Sequence, residues 1–211
     1  MGNKVIVLDK GTISKIAAGE VIERPSSIIK ELVENAIDAS GTRIEIEIKN
    51  AGKDFIRVSD NGIGMGYTDA ELAFSRHATS KIKKIKDLAS IKTLGFRGEA
   101  LPSIASVSKV EIITKREEDL LGTRILVSNN KILSKEKIGS PDGTVIKVKN
   151  LFDNVPARKK FLKSNTYESG LISDMVTRIA LVNPHISFKF ISEGRAIFNT
   201  YGSNNLFDTI A

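Results

Sequence analysis

Short segments that alternate apolar and polar residues recur along this chain, and this pattern limits the folds it can adopt. Residues 42–49 place Ile44, Ile46 and Ile48 on one face and polar or charged side chains on the other, as in a strand with one buried face. A turn at 50–53 and a second apolar segment at 55–59 predict a hairpin. Further strands are predicted at 109–115, 122–128, 131–138 and 143–149, and a last hairpin over 186–200 turns at Glu193, Gly194 and Arg195.

The predicted helices lie in separate blocks and do not alternate with the strands. One helix covers 25–40, where Pro25 suits a first helical turn and Gly41 suits a stop. Other helices are predicted at 67–74, 157–163 and 167–182, with further starts near Gly98 and at 204–211. Strands joined mainly by hairpins, with helices in blocks, predict an α+β fold with a mostly antiparallel sheet covered on one face by helices.

Composition excludes several classes of protein. A length of 211 residues with 41% hydrophobic residues is enough for one domain with its own core, together with a fragment of a second. The chain has no cysteine, which excludes a disulfide scaffold, a thiolate zinc site and a cysteine nucleophile. No apolar run is long enough for a membrane span or a signal segment, so we expect no membrane contact and a cytoplasmic location. The formal net charge of +7 favours an anionic partner, either a nucleic acid or a phosphorylated ligand.

The helix predicted at 25–40 carries a polar stripe. At the helical repeat, Glu31, Asn35 and Asp38 fall within roughly 60° of one another, with Glu34 at the border. The stripe has two interpretations. It is either the solvated face of an amphipathic helix, or a site in which Glu31 acts as general base and Asn35 offers an oxygen to Mg²⁺.

A glycine-rich segment, residues 60–65, follows a strand directly. Its plain interpretation is a turn closed by a side-chain bond from Asp60. An EF-hand loop is excluded because Gly62 and Gly64 have no side-chain oxygen where ligands are needed, and the chain has neither a P-loop nor a Rossmann glycine pattern. The functional interpretation that remains is an adenine pocket. In it the carboxylate accepts the exocyclic amino group and the two glycines let a flat ring approach the backbone.

Residues 75–98 have little periodicity, which is typical of a functional or mobile loop. Gly95 and Gly98 flank Arg97, and backbone N–H groups at such a turn beside a helix start can bind an anion. The alternative for Arg97 is a surface ion pair. The lysines of 81–86 form either a solvated face or a nucleic-acid contact, and Gly143–Thr144 alone indicates only the start of a strand.

Taken in order, these segments closely resemble the N-terminal ATPase domain of the MutL mismatch-repair family. That family belongs to the GHKL superfamily, with the ATPase subunit of DNA gyrase, the ninety-kilodalton heat-shock chaperone and the histidine kinases. The acid-Gly-x-Gly and Glu-x-x-x-Asn pieces mark the superfamily, whereas 76–82 and 95–101 are specific to the MutL branch. The resemblance covers nearly the whole chain and is carried by 16–25, 30–39, 60–65, 76–82, 95–101 and 154–158.

The resemblance implies a two-layer Bergerat sandwich with a mixed, mostly antiparallel sheet, in which ATP lies between sheet and helices under a lid at about 75–100. It implies that Glu31 is the general base and that Asn35 holds Mg²⁺. It also implies that Asp60 binds adenine in a pocket shaped by Gly62 and Gly64. The remaining nucleotide contacts that it implies are Thr79, Leu94, Gly95, Phe96, Arg97, Gly98 and Thr144.

The resemblance also implies an organisation and a set of partners. It predicts an ATP-binding domain at 1–201, the start of a second, transducer domain at 202–211, and ATP-dependent homodimers. Sequence-independent DNA contact and a partner of the MutS type are implied as well. In the family a lysine of the following domain contacts the γ-phosphate, and no residue here has that role, so we expect slow hydrolysis by these 211 residues.

Two alternative functions remain open. One is the nucleotide domain of a type II topoisomerase or chaperone, against which the MutL-specific segments argue. The other is a module that binds nucleotide without hydrolysing it, against which the presence of Glu31 argues.

Overall fold

In a computed structural model, which describes residues 22–75 and 98–205, the strands form one eight-stranded sheet. The spatial order is β5-β4-β3-β6-β2-β1-β7-β8. The strands are β1 (Arg43–Lys49), β2 (Phe55–Asp60), β3 (Lys109–Lys115), β4 (Gly122–Ser128), β5 (Lys131–Ile138), β6 (Gly143–Lys149), β7 (Ser187–Ser192) and β8 (Arg195–Asn199). The only parallel pair among them is β1 with β7, so the predicted α+β fold with a mostly antiparallel sheet is confirmed.

The described residues include five helices, and all of them except the fourth bury apolar side chains in the core that they share with the sheet. They are α1 (Pro25–Asp38), α2 (Tyr67–Leu72), α3 (Ala100–Val107), α4 (Pro156–Phe161) and α5 (Asn165–Val182), and Asn50–Gly52 forms a 3₁₀ turn. Helix α1 buries Ile28, Ile29 and Leu32 in the same apolar cluster as the inward residues of the sheet. Because apolar residues recur at helical spacing on one side of α1, burial of this side holds the helix on the sheet.

The end of α1 differs from the prediction in one respect. The helix ends at Asp38, two residues before the predicted end at 40, and Ser40 has a left-handed backbone (φ 61°) whereas Gly41 does not. The Gly41 N–H donates to the Ala36 carbonyl at 3.0 Å, and a Cβ at Gly41 would lie 2.9 Å from that oxygen. Glycine is therefore favoured here because the chain passes close to the helix, and not because of its φ angle.

The inner face of the sheet is apolar except at one end. The central strands β2, β6, β3 and β4 carry isoleucine and valine at their other inward positions. At this end, residues in register across the four strands are polar. This "polar row" consists of Asp60, Thr144, Thr114 and Thr123. A polar end on an otherwise apolar face is unusual, because buried polar groups need partners.

The outer face of the sheet is covered by ion pairs. The Arg57 guanidinium contacts Glu45 and Glu47, and Arg124 contacts Glu111 at 2.7 Å. Burial raises the pKa of Glu45, but the bonds from its cationic neighbours outweigh burial and lower this pKa below its usual value. This face carries many charged side chains, and the site described below lies on the inner side. Among the helices of 22–75 and 98–205, none is long and apolar enough to cross a bilayer.

Candidate functional site

Asp60 ends β2 at the polar row, with its carboxylate mostly buried. The Gly62 N–H donates to its Oδ1 at 2.9 Å, which is the side-chain turn expected from the sequence. Burial raises the pKa of Asp60 to about 6, although the backbone N–H groups of Gly62 and Thr144 act to lower it. No cation of the described segments contributes to this shift. The site therefore has a desolvated carboxylate with spare acceptor capacity, which is suited to a ligand that donates a hydrogen bond.

The two glycines after Asp60 lie very close to the backbone of other segments. A Cβ at Gly62 would lie 2.5 Å from the Ala39 carbonyl oxygen. A Cβ at Gly64 would lie 2.0 Å from the Lys115 carbonyl oxygen, and Gly64 also has a φ of 63°. Both positions thus require glycine to fit the turn between α1 and β3. The approach of a flat ring, which the sequence suggested, is a separate proposal.

Thr144 lies directly opposite Asp60 in the pairing of β2 with β6. Its hydroxyl is 2.9 Å from that of Thr114, and Thr114 Oγ1 also accepts the Met65 N–H at 2.9 Å. Thr144 and Thr114 are both buried. Sequence analysis missed Thr114, although a threonine after Val110 and Ile112 at the inward positions of β3 is a signal that could have found it.

The polar stripe of α1 is not fully solvated. Glu31, Glu34, Asn35 and Asp38 are all half-buried, and Glu34 pairs with Lys30 at 3.7 Å. Burial is the main cause of a raised pKa at Glu34. Lys30 opposes this shift, and the negative charges of Glu31 and Asp38 add to it. The stripe is therefore a concentration of negative charge with restricted solvation, which favours the interpretation of a functional site over a plain surface.

The turn after β2 is tied to the C-terminal end of α1. The Ile63 N–H donates to the Ala39 carbonyl at 2.9 Å. Asn61 fastens the same turn to the start of β1, because its Oδ1 accepts the Thr42 and Arg43 N–H groups at 2.9 and 2.8 Å. The fold thereby holds the Asp60 turn against the helix that carries the acidic stripe. Asn61 was not singled out from the sequence.

The predicted site residues divide into two groups. Glu31, Asn35, Asp60, Gly62, Gly64 and Thr144 belong to α1, β2, the turn after β2 and β6, as described above. Gly98 lies just before α3 with a φ of 62°. Thr79, Leu94, Gly95, Phe96, Arg97, most of the lid at 75–100 and most of the helix start at 204–211 lie outside the described residues.

Two other observations bear on ligands. Within 22–75 and 98–205 there is no cluster of three or more histidine, cysteine or acidic side chains that could hold a metal ion. Asn35 fits Mg²⁺ in another way, since this ion keeps several waters and combines one or two protein oxygens with substrate phosphates. Two hollows of about 320 and 310 Å³ lie at the opposite end of the sheet, around Asp153. The Asp60 carboxylate, and not the volume of a cavity, therefore identifies the candidate site.

Comparisons with known proteins identify the family of this chain. Residues 23–159 match the family model described as histidine kinase-, DNA gyrase B-, and HSP90-like ATPase. The chain is 54% identical to the DNA mismatch repair protein MutL of Agathobacter rectalis over 206 residues, which is 98% of this chain and 32% of that protein. It is 52% identical to MutL of Clostridium tetani over 207 residues, or 98% of this chain and 33% of that protein. The chain thus spans about a third of the length of these curated relatives.

Solved structures give the same result. The Aquifex aeolicus MutL ATPase domain complexed with ADP is 34% identical, with a TM-score of 0.72, over 90% of this chain and 68% of that one. The N-terminal domain of a DNA repair protein is 30% identical, with a TM-score of 0.80, over 94% of this chain and 59% of that one. The chain belongs to the histidine kinase-, DNA gyrase B- and HSP90-like ATPase family and, within it, to the ATPase domains of the MutL branch.

Proposed function

We propose that this chain binds ATP with Mg²⁺ and hydrolyses it to ADP and phosphate, as the ATPase module of a MutL-type DNA mismatch repair protein. The observation that carries the proposal is the half-buried, poorly solvated Asp60 carboxylate at the polar row. Its turn is fastened to the helix that carries Glu31 and Asn35. One relative of known structure is named as an ADP complex, which supports a nucleotide at this site.

Adenine recognition follows from the acceptor at Asp60. An ionised carboxylate accepts the exocyclic amino group of adenine, whereas guanine presents a carbonyl at that position and is repelled. Thr144, opposite Asp60, supports this contact directly or through one water. Gly62 and Gly64 fix the turn that shapes the pocket. We therefore expect ATP to bind better than GTP.

The polar stripe of α1 supplies the groups for hydrolysis. Glu31 accepts a proton from the attacking water, and the Asn35 amide oxygen is the protein ligand of the metal. Mg²⁺, when bound, neutralises charge on the phosphates. By resemblance, the segment from Thr79 to Gly98 wraps around the phosphates. Its nucleotide contacts include Leu94, Gly95, Phe96 and Arg97.

The wider role is also part of the proposal. Residues 1–201 form the nucleotide domain, and 202–211 begin a transducer domain. The full-length protein is an ATP-dependent homodimer that contacts DNA without sequence specificity and works with a mismatch-recognition protein of the MutS type. We also propose a cytoplasmic location, as expected from the sequence. Hydrolysis by these 211 residues alone is slow, because none of them matches the family's γ-phosphate lysine.

The test is Glu31→Ala, with Glu34→Ala as a control on the same helix stripe. We expect Glu31→Ala to bind ATP with nearly the parent affinity and to hydrolyse it about 100-fold more slowly, since a general base acts on the water and not on the bound nucleotide. Glu34→Ala should keep most of the hydrolysis rate. Phosphate release under single-turnover conditions and calorimetric titration measure the two quantities. Parent-like hydrolysis by Glu31→Ala would show that the base is another residue.

A further inference from the structure

We infer that Thr114 is a positioning residue for adenine recognition, acting through Thr144. The inference rests on the proposed function, because it concerns the same pocket. Thr114 contributes no atom to the open side of the site, since its side chain is buried at 1% exposure. Its influence passes instead through the hydroxyl of Thr144 and the backbone at Met65 and Gly143.

Thr114 Oγ1 has three polar neighbours. The Met65 N–H lies at 2.9 Å and can only donate, whereas the Gly143 carbonyl oxygen lies at 3.2 Å and can only accept. The Thr144 hydroxyl lies at 2.9 Å and can do either. A hydroxyl has one proton and two lone pairs, so the proton of Thr114 is shared between two possible acceptors. The Thr114 hydroxyl is thus surrounded by protein partners, and only the direction of its hydrogen bond with Thr144 can change.

That variable bond sets what Thr144 presents to a ligand. When Thr114 donates to Gly143, Thr144 must donate its own proton to Thr114, and only its lone pairs remain available. When Thr114 donates to Thr144, the proton of Thr144 is released to donate to a ring nitrogen or a bridging water. Thr114 thus allows the Thr144 hydroxyl to act as donor or acceptor without moving a heavy atom.

The same residue also fixes the walls of the pocket. Its bond to Met65 holds the chain just after Gly64, and its bond to Gly143 holds the start of β6 next to Thr144. The start of β6 adjoins Asp60, because a Cβ at Gly143 would lie 2.1 Å from the Asp60 carbonyl oxygen. Loss of the Thr114 hydroxyl would leave the half-buried Met65 N–H without this partner and would relax both walls.

Thr200 provides a matched control at the far edge of the sheet. It is also buried, at 4% exposure. Its Oγ1 accepts the Phe188 N–H at 2.9 Å and donates to the Ile186 carbonyl at 3.3 Å. It therefore makes the same two backbone bonds as Thr114 and has no threonine hydroxyl of the site beside it. Thr114→Val and Thr200→Val remove equivalent hydrogen bonds to the backbone. Only Thr114→Val also removes a hydrogen bond to a threonine of the proposed site.

The experiment measures ATP–Mg²⁺ affinity by calorimetric titration for Thr114→Val, Thr114→Ser, Thr200→Val, Thr144→Val and the Thr114→Val/Thr144→Val double variant. We expect Thr114→Val to weaken binding about threefold to tenfold, Thr114→Ser to stay within about twofold of the parent, and Thr200→Val to leave binding unchanged. In the double variant the two losses of affinity should be less than additive, because part of the effect of Thr114 passes through Thr144. Parallel denaturation curves give the folded fraction, and Thr114→Cys replaces Thr114→Val if the latter does not fold.

The outcomes separate the two ideas. If Thr114→Val binds like Thr200→Val, or if the two site threonines act additively, the positioning role is overturned while the ATP site stands. If neither Thr144→Val nor Asp60→Asn changes ATP affinity, the proposed adenine pocket itself is wrong.

Discussion

The Asp60 carboxylate should make the protein without nucleotide less stable at neutral pH. Burial raises its pKa from 3.8 to about 6 in the folded chain. A group whose folded pKa is raised contributes stability that is complete below the unfolded pKa and is lost as pH rises through the folded one. A shift of about two units, at about 1.4 kcal/mol each, corresponds to about 3 kcal/mol lost by pH 7.

Asp60→Asn tests this cost. Asparagine has nearly the same shape and keeps an oxygen to accept the Gly62 N–H, but it has no charge to desolvate. In the absence of nucleotide, we expect the free energy of unfolding at pH 7 to rise by up to about 3 kcal/mol, and this gain to fall to about half at pH 5. Urea denaturation at both pH values measures the two quantities.

The matched control is Asp174→Asn, because Asp174 is exposed and pairs with Arg178 at 3.0 Å on the surface of α5. Its effect should stay within about 0.5 kcal/mol at both pH values. The reasoning is refuted if Asp60→Asn is no more stable than the parent at pH 7, or if its advantage does not shrink in acid.

Asp60→Asn should also weaken the binding of ATP. A neutral amide is a poorer acceptor than a carboxylate, so ATP affinity should fall in Asp60→Asn. Between pH 7 and pH 5 the parent should lose about tenfold in affinity as Asp60 becomes protonated, and the variant should change much less. The variant also corrects for titration of the nucleotide itself. Equal affinities of parent and variant at pH 7 would refute the adenine role.

Two further predictions concern the turn that holds the site. Gly64→Ala should destabilise the protein by about 2 kcal/mol or more in thermal or urea unfolding, because of its positive φ and the Lys115 carbonyl 2.0 Å from the new Cβ. Gly170→Ala, in the interior of α5 with nothing within 4 Å, should instead stabilise by about 0.5–1 kcal/mol, and similar effects at both glycines would contradict the argument. Asn61→Ala should cost about 1–3 kcal/mol, since two backbone N–H groups at the start of β1 lose their acceptor; an unchanged unfolding curve would show that water replaces it.

Much of the fold was predictable because its signals are local. The strands predicted at 109–115, 122–128, 131–138 and 143–149 have the observed bounds of β3, β4, β5 and β6, and hairpins between neighbouring strands give antiparallel pairing. The insertion of β6 between β2 and β3 was not predictable in this way, because it depends on pairing between distant segments. The sequence also suggested a helix over 25–40 with Gly41 as its stop, whereas α1 ends at Asp38.

The site was predictable in part for the same reason. Glu31, Asn35 and Asp60 belong to short patterns with a chemical meaning, so each could be proposed from its neighbours in sequence. Thr144 alone looked like an ordinary strand start, and Thr114 gave no signal except polarity at an inward position. Their meaning comes from register across three strands, where Asp60, Thr144 and Thr114 lie side by side.

The central place of β6 has a consequence for the order in which this protein is made. The acidic helix and Asp60 are synthesised early, yet β2 and β3 meet only through β6, which is translated much later. A nascent chain that ends before β6 has the carboxylates but no wall opposite Asp60. The entropy cost of bringing β2 and β3 together is offset only when β6 pairs with both of them. At the proposed site, nucleotide binding therefore requires β6, and a bound nucleotide would report that the middle of the sheet is complete, on or off the ribosome.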